Sequence, residues 1–90
     1  MRLEDALFNW LQIRLVAEAR PDDEAAADTL SFFEQILRED HGLSRCEITK
    51  RDAAMIYVDY ERHGESKQQA YPNELGEQLL IDIEANPKYN

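Results

Sequence analysis

From residue 3 to residue 19 the apolar positions recur at helical spacing, but they spread too widely for a helix with one wet side. At about 100° per residue, Leu3, Ala6, Leu7, Phe8, Trp10, Leu11, Ile13, Leu15, Ala17 and Ala19 cover roughly two-thirds of the circumference. Asp5, Asn9, Gln12 and Arg20, with Arg2, form a narrow polar strip. Pro21 disfavours helical geometry in the residue before it, so the helix is expected to stop at Arg20. Asp22 is the expected cap of a second helix, with Asp23 and Glu24 in its first turn, where the macrodipole favours negative charge. Here Ala25, Ala26, Thr29, Leu30, Phe32, Phe33, Ile36 and Leu37 fall in an arc of roughly 160°, an ordinary amphipathic pattern. Gly42 supplies a left-handed stop, and the short connection makes the two helices an αα-hairpin.

After Gly42 the period changes to alternation. Ser44, Cys46, Ile48 and Lys50 are expected on one face of a first strand. Ala54, Ile56, Val58 and Tyr60 share one face of a second, with Met55, Tyr57, Asp59 and Glu61 on the other. His63-Gly64 turns the chain into a polar third strand over residues 66–71, which reads as an edge. That turn sets Tyr71 opposite Ile56 and Gln69 opposite Val58. For Ile48 and Cys46 to share the face of Ile56 and Val58, with pairs such as Ile48–Ile56, an odd-length loop or a bulge is needed around Arg51, Asp52 and Ala53. Pro72 ends the sheet and Asn73 is the expected cap of a third helix. Leu75, Leu79, Leu80 and Ile83 give that helix a buried stripe, and Asn86-Pro87 stops it. Gly76 costs about 1 kcal/mol relative to Ala inside a helix, so either the helix starts late or it passes close to another backbone there.

The expected architecture is therefore α+β in the order α-α-β-β-β-α, a three-stranded antiparallel sheet with helices packed on one face. It is read as one domain over residues 1–90: a helical hairpin over 1–42, a β-meander over 43–72 and a C-terminal helix over 73–86. At 90 residues, folding buries only about 60 to 65% of the surface that the unfolded chain exposes, so stability is modest unless association adds to it.

Charge narrows the range of partners. Of the net charge of −9, residues 1–42 carry four Lys/Arg against ten Asp/Glu, residues 43–67 five against five, and residues 68–90 one against four. No third has a basic surplus with which to neutralise phosphates, which argues against nucleic acid and anionic membrane surfaces as partners. Glu4 and Asp5 stand where a signal peptide needs positive charge, and the longest apolar run, residues 53–58, is far short of a membrane span. A single cysteine, Cys46, and no Asn-x-Ser/Thr sequon fit a reducing, cytoplasmic location.

No residue set carries recognisable chemistry. The run of helix, three strands and helix has the element order of a double-stranded-RNA-binding domain, yet Glu74 and Glu77 stand where such domains need lysines. Capping and the dipole account for Asp22, Asp23, Glu24 and Asp28 without a metal. In Glu39-Asp40-His41, consecutive helical residues point about 100° apart, so the imidazole and carboxylates do not converge, and His63 is a turn residue. Cys46 alternates with Ile48 as a core thiol would. With three glycines there is no phosphate loop, so no catalytic residue, cofactor or metal is expected, and the chain is read as non-enzymatic.

Two surfaces remain. Ala6, Trp10, Ile13 and Ala17, one flank of the first helix, lack an obvious cover and, with Met55 and Tyr57, are the expected interface for a protein partner or a homo-oligomer. Asp23, Glu24, Asp28 and Glu34 form an expected acidic face, the basis of an alternative reading as a polyanion mimic for a basic partner. A small-molecule-binding domain, a further alternative, needs a pocket between helices and sheet lined by convergent polar groups.

The segments Ala6-Leu7-Phe8-Asn9-Trp10-Leu11, Ala19-Arg20-Pro21-Asp22-Asp23, Arg38-Glu39-Asp40-His41-Gly42 and Asn86-Pro87-Lys88-Tyr89-Asn90 resemble a family of small uncharacterised proteins from Gram-positive bacteria, over the whole chain. The resemblance implies a cytoplasmic bacterial protein and brings no activity, ligand or catalytic residue with it.

Overall fold

A computed structural model describes residues 1–85. The element order is α1 (Leu3–Ala19), α2 (Glu24–Glu39), β1 (Leu43–Arg51), β2 (Met55–Arg62), β3 (Glu65–Pro72) and α3 (Asn73–Ala85), with one antiparallel sheet in the order β1-β2-β3. This is the expected α+β architecture. The expected stop at Asn86-Pro87 lies outside the described residues.

Local chemistry explains most boundaries. Helix α1 ends at Ala19, with the Arg20 amide donating to the Val16 carbonyl at 2.8 Å. The cap of α2 is Asp23 rather than Asp22: its Oδ1 accepts from the Ala26 amide at 3.0 Å, while Oδ2 meets Arg20 Nε at 3.2 Å. This satisfies one orphan donor of the first turn and also anchors the chain leaving α1. His63 and Gly64 form a two-residue hairpin loop with φ of +54° and +79°, the paired positive values of a type I′ turn.

The β2–β3 register is the expected one, with Ile56 opposite Tyr71 and Val58 opposite Gln69. On the other side of β2, Cys46 pairs with Tyr60 and Ile48 with Val58, which keeps the required face but lies two residues along from the Ile48–Ile56 pairing. The irregularity that makes this possible falls between Ile48 and Lys50, not in the Arg51 to Ala53 segment. A second lies between Leu43 and Arg45, so that Ser44 also leaves the face of Cys46 and its hydroxyl donates to the Glu61 carboxylate at 2.9 Å. One extra residue reverses the facing of everything after it. Lys50 therefore leaves the face of Cys46 and Ile48, and its ammonium lies 5.4 Å from the Tyr57 ring centroid on the open side. The β1–β2 loop is held by Asp52, whose carboxylate accepts from the Ala54 and Met55 amides at 2.9 and 2.8 Å.

All three helices pack on the sheet face of Ile56 and Val58, and α1 is the centre of that layer. Ala6, Leu7, Trp10, Leu11 and Leu15 share a cluster with Leu37 of α2, Leu43 of β1, and Ile56 and Val58 of β2. Ile13 and Val16 join a second cluster with Ala26 of α2 and Ile83 of α3, against which Ala17, Leu30, Phe33, Leu79 and Leu80 pack. A helix that is apolar nearly all round belongs inside a fold. The width of the α1 arc is thus matched by three neighbours within the chain: the sheet, α2 and α3.

Asn73 does not act as the expected side-chain cap. Its amide Nδ2 donates to the Asp52 carbonyl at 2.9 Å, and its backbone amide donates to Ala54 at the same distance, which pins α3 to the β1–β2 loop. Gly76 is buried, and a Cβ there would stand 2.8 Å from Ile56 Cδ1 and 3.3 Å from Leu11 Cδ2. Neighbouring side chains, not another backbone, are what exclude a side chain at this point. Two large side chains placed in apolar stripes by periodicity are exposed instead, Phe32 at 56%, edge-on to Phe33, and Leu75 at 52%, as are Ala25 and Thr29 of the α2 arc.

Candidate functional site

The residues expected to form an interface do not form one surface. Ala6, Trp10 and Ile13 are 0%, 1% and 7% exposed, and Ala17 is half-buried against the second cluster. Their cover is α2, α3 and the sheet, so the flank that periodicity leaves bare is closed within the chain. Met55 and Tyr57 are half-buried on the opposite side of the sheet, among Lys50, Asp59, Gln68 and Ala70. That side is polar and largely self-paired: Gln68 donates to Asp59 at 2.8 Å, and Arg45 meets Glu47 at 2.8 Å. An antiparallel sheet with one solvated face needs no further cover.

The acidic face divides as well. Asp23 is occupied as cap and ion-pair partner, and both bonds hold its carboxyl below the usual carboxylate range, the Ala26 amide first and Arg20 second. Glu34 turns the other way, accepting from the Trp10 indole Nε1 at 3.4 Å. Only Glu24 and Asp28 remain as exposed carboxylates without these duties.

What the fold creates instead is a cleft of about 230 Å3 between the C-terminal half of α2 and the start of β1. Its walls are Glu34, Leu37 and Arg38 from α2 and Leu43, Ser44, Arg45 and Cys46 from β1, with Trp10 of α1 at its floor. Because β1 ends the sheet, the cleft runs beside a strand edge with which no other strand pairs among the described residues. Helical spacing puts Glu34, Leu37 and Arg38 on one side of α2, and strand alternation turns Cys46 inward. A hollow at the α1–α2 turn is walled by residues 19–24 alone and gathers no groups from elsewhere in the chain.

The cleft does not activate its thiol. Burial, reinforced by the Glu34 and Glu47 carboxylates, pushes the Cys46 thiol up to about 12, the reverse of what a nucleophile needs. Those carboxylates raise the thiol, while Arg14 and Arg45 pull it the other way. Glu39 ends α2 and is exposed, Asp40 follows it as the exposed C-cap, and His41 is half-buried. Among the described residues, no three His, Cys, Asp or Glu side chains are placed to hold a metal ion, and no helix is long and apolar enough to cross a membrane.

Periodicity could not have found this cleft, because its members come from three elements and none is unusual on its own. The signals present were Cys46 alternating with Ile48 and Glu34 four residues before Arg38. Compared with known proteins, the chain matches no family model, no curated protein and no solved structure.

Proposed function

We propose that the chain is a small, acidic, non-catalytic protein-interaction domain that takes a side chain of a protein partner into the cleft between α2 and β1. The observation that carries this reading is the cleft itself, a hollow of about 230 Å3 beside an unpaired strand edge, with Trp10 beneath it and polar groups around it. The volume is below the roughly 300–1,000 Å3 of small-molecule sites, which favours one anchored side chain over a whole ligand. Strand edges beside helices also suit the addition of an extended segment, whose main chain pairs with the edge while a side chain fills the hollow. Burial of the α1 flank removes the reason for self-association through that helix, and a net charge of −9 makes two copies repel. The single cysteine supports a reducing, cytoplasmic setting, and the acidic balance opposes nucleic acid as the partner.

The test compares two baits, the native chain and Cys46→Phe, which fills the cleft from the half-buried, inward-facing position on β1. Circular dichroism and sedimentation verify first that both are folded and in what mass. A partner retained by the native chain and lost with Cys46→Phe is the expected result. Identical retention by both baits, or a concentration-dependent dimer insensitive to Cys46→Phe, overturns the reading.

A further inference from the structure

We infer that the side chain taken by the cleft is cationic, a lysine or arginine from a basic segment of the partner, and that Glu34 is the group that receives it. The inference rests on the interaction reading above and specifies its chemistry. Glu34 is half-buried at the wall of the cleft and accepts one long bond, 3.4 Å, from the Trp10 indole. An ionised carboxylate offers about four acceptor sites, so most of its capacity is unspent. The indole bond fixes the carboxylate over the floor, where Trp10, Leu37 and Leu43 supply apolar surface for the methylene stem of a lysine or arginine.

Of the two arginines that line the cleft, Arg45 is paired with Glu47 at 2.8 Å and Arg38 is exposed at the rim, whereas Glu34 is half-buried and bonded to Trp10 at the floor. Beyond the cleft, the acidic balance of residues 1–42 steers a basic segment toward this half of the molecule and repels an acidic one. Shape and charge thus point to the same occupant.

The probe is a capped nonapeptide alternating lysine and threonine, compared with the same peptide carrying glutamate or Nε-acetyl-lysine in place of lysine. Trp10 is the only tryptophan, so its fluorescence reports occupancy directly, and amide shifts of residues 44–47 report the strand edge. The expected result is binding of the lysine peptide at low salt, weakened by salt and by acetylation. Glu34→Gln, which keeps the shape, should lower affinity about fivefold to tenfold. Glu24→Gln with Asp28→Asn, on the exposed side of α2, should change it by less than about twofold. Equal binding by Glu34→Gln, or equal weakening by the Glu24/Asp28 variant, overturns the inference in favour of diffuse attraction. Binding of the glutamate peptide with shifts at residues 44–47 also overturns it, while leaving the cleft reading standing with Arg38 and Arg45 as its anchors. Loss of the partner with Cys46→Phe, but no response of those amides to any peptide, likewise refutes the cationic occupant alone.

Discussion

Gly76 offers the sharpest test of how α3 is seated. In an exposed helix interior, Gly→Ala gains about 1 kcal/mol, because alanine loses less backbone entropy on folding. Here the added methyl would stand 2.8 Å from Ile56 Cδ1, 3.3 Å from Leu11 Cδ2 and 3.6 Å from Leu15 Cδ1. Ile56 is completely buried and Leu11 likewise, so neither can swing into solvent. Overpacking of this kind costs about 1–3 kcal/mol. The two effects set against each other give a net loss of about 0–2 kcal/mol for Gly76→Ala. The informative experiment is a cycle with Ile56→Val, which deletes the nearest methyl and by itself costs about 0.5–1.5 kcal/mol. In that background Gly76→Ala should stabilise by up to about 1 kcal/mol, a favourable coupling that only close approach can generate. Urea unfolding followed by Trp10 fluorescence measures all four corners. A gain of about 1 kcal/mol from Gly76→Ala in the native background, with no coupling to Ile56, would refute the packing of α3 on α1 and β2.

Three further outcomes follow from the same structure. Trp10→Ala should cost about 3–5 kcal/mol with no dependence on protein concentration, because its neighbours are intrachain; a concentration-dependent loss would return α1 to the role of an interface. Asp23→Ala should lower the melting temperature where Asp22→Ala leaves it unchanged, since only Asp23 holds the Ala26 amide; equal effects in thermal scans would sink the capping assignment. On the alkaline side, burial raises Cys46 from 9.0, and Tyr71 from 10.0, each to about 12, so both stay neutral in the folded chain after the unfolded chain has ionised. Their contribution is then complete below pH 9 and is lost as pH rises toward 12. Denaturation midpoints measured against pH should fall over that window, less steeply in Tyr71→Phe, and a flat profile would count against their burial.

With α1 enclosed, the apolar surface that suggested a second copy is covered within the chain. On the proposed reading, recognition rests instead on a small hollow at the sheet edge, with Glu34 beside an apolar floor. Anchors of that type give modest affinity and strong selectivity for charge.

Much of the fold was legible along the chain because it rests on local rules. The change from helical spacing to alternation at Gly42, the His63-Gly64 hairpin and the pairing of Ile56 with Tyr71 all depend on residues close in sequence. The need for a β1 irregularity was also legible, since only an even pairing puts Cys46 and Ile48 on the buried face. Its position was not: the difference between a bulge after Ile48 and one near Asp52 depends on how Leu43 and Ile48 fit beneath α2 and α1.

What covers α1 belonged wholly to the tertiary structure. Periodicity counts the apolar positions that one helix presents, whereas burial is a relation between that helix and whatever lies against it. The same apolar positions read as surplus when the helix is taken by itself, and beside three neighbours all but the exposed Ala19 are at least partly covered. Sequence by itself determined that α1 needed an unusual amount of cover. Only the seating of α2 over Trp10, and of α3 over Ile13 through the missing side chain of Gly76, decided that the cover came from within.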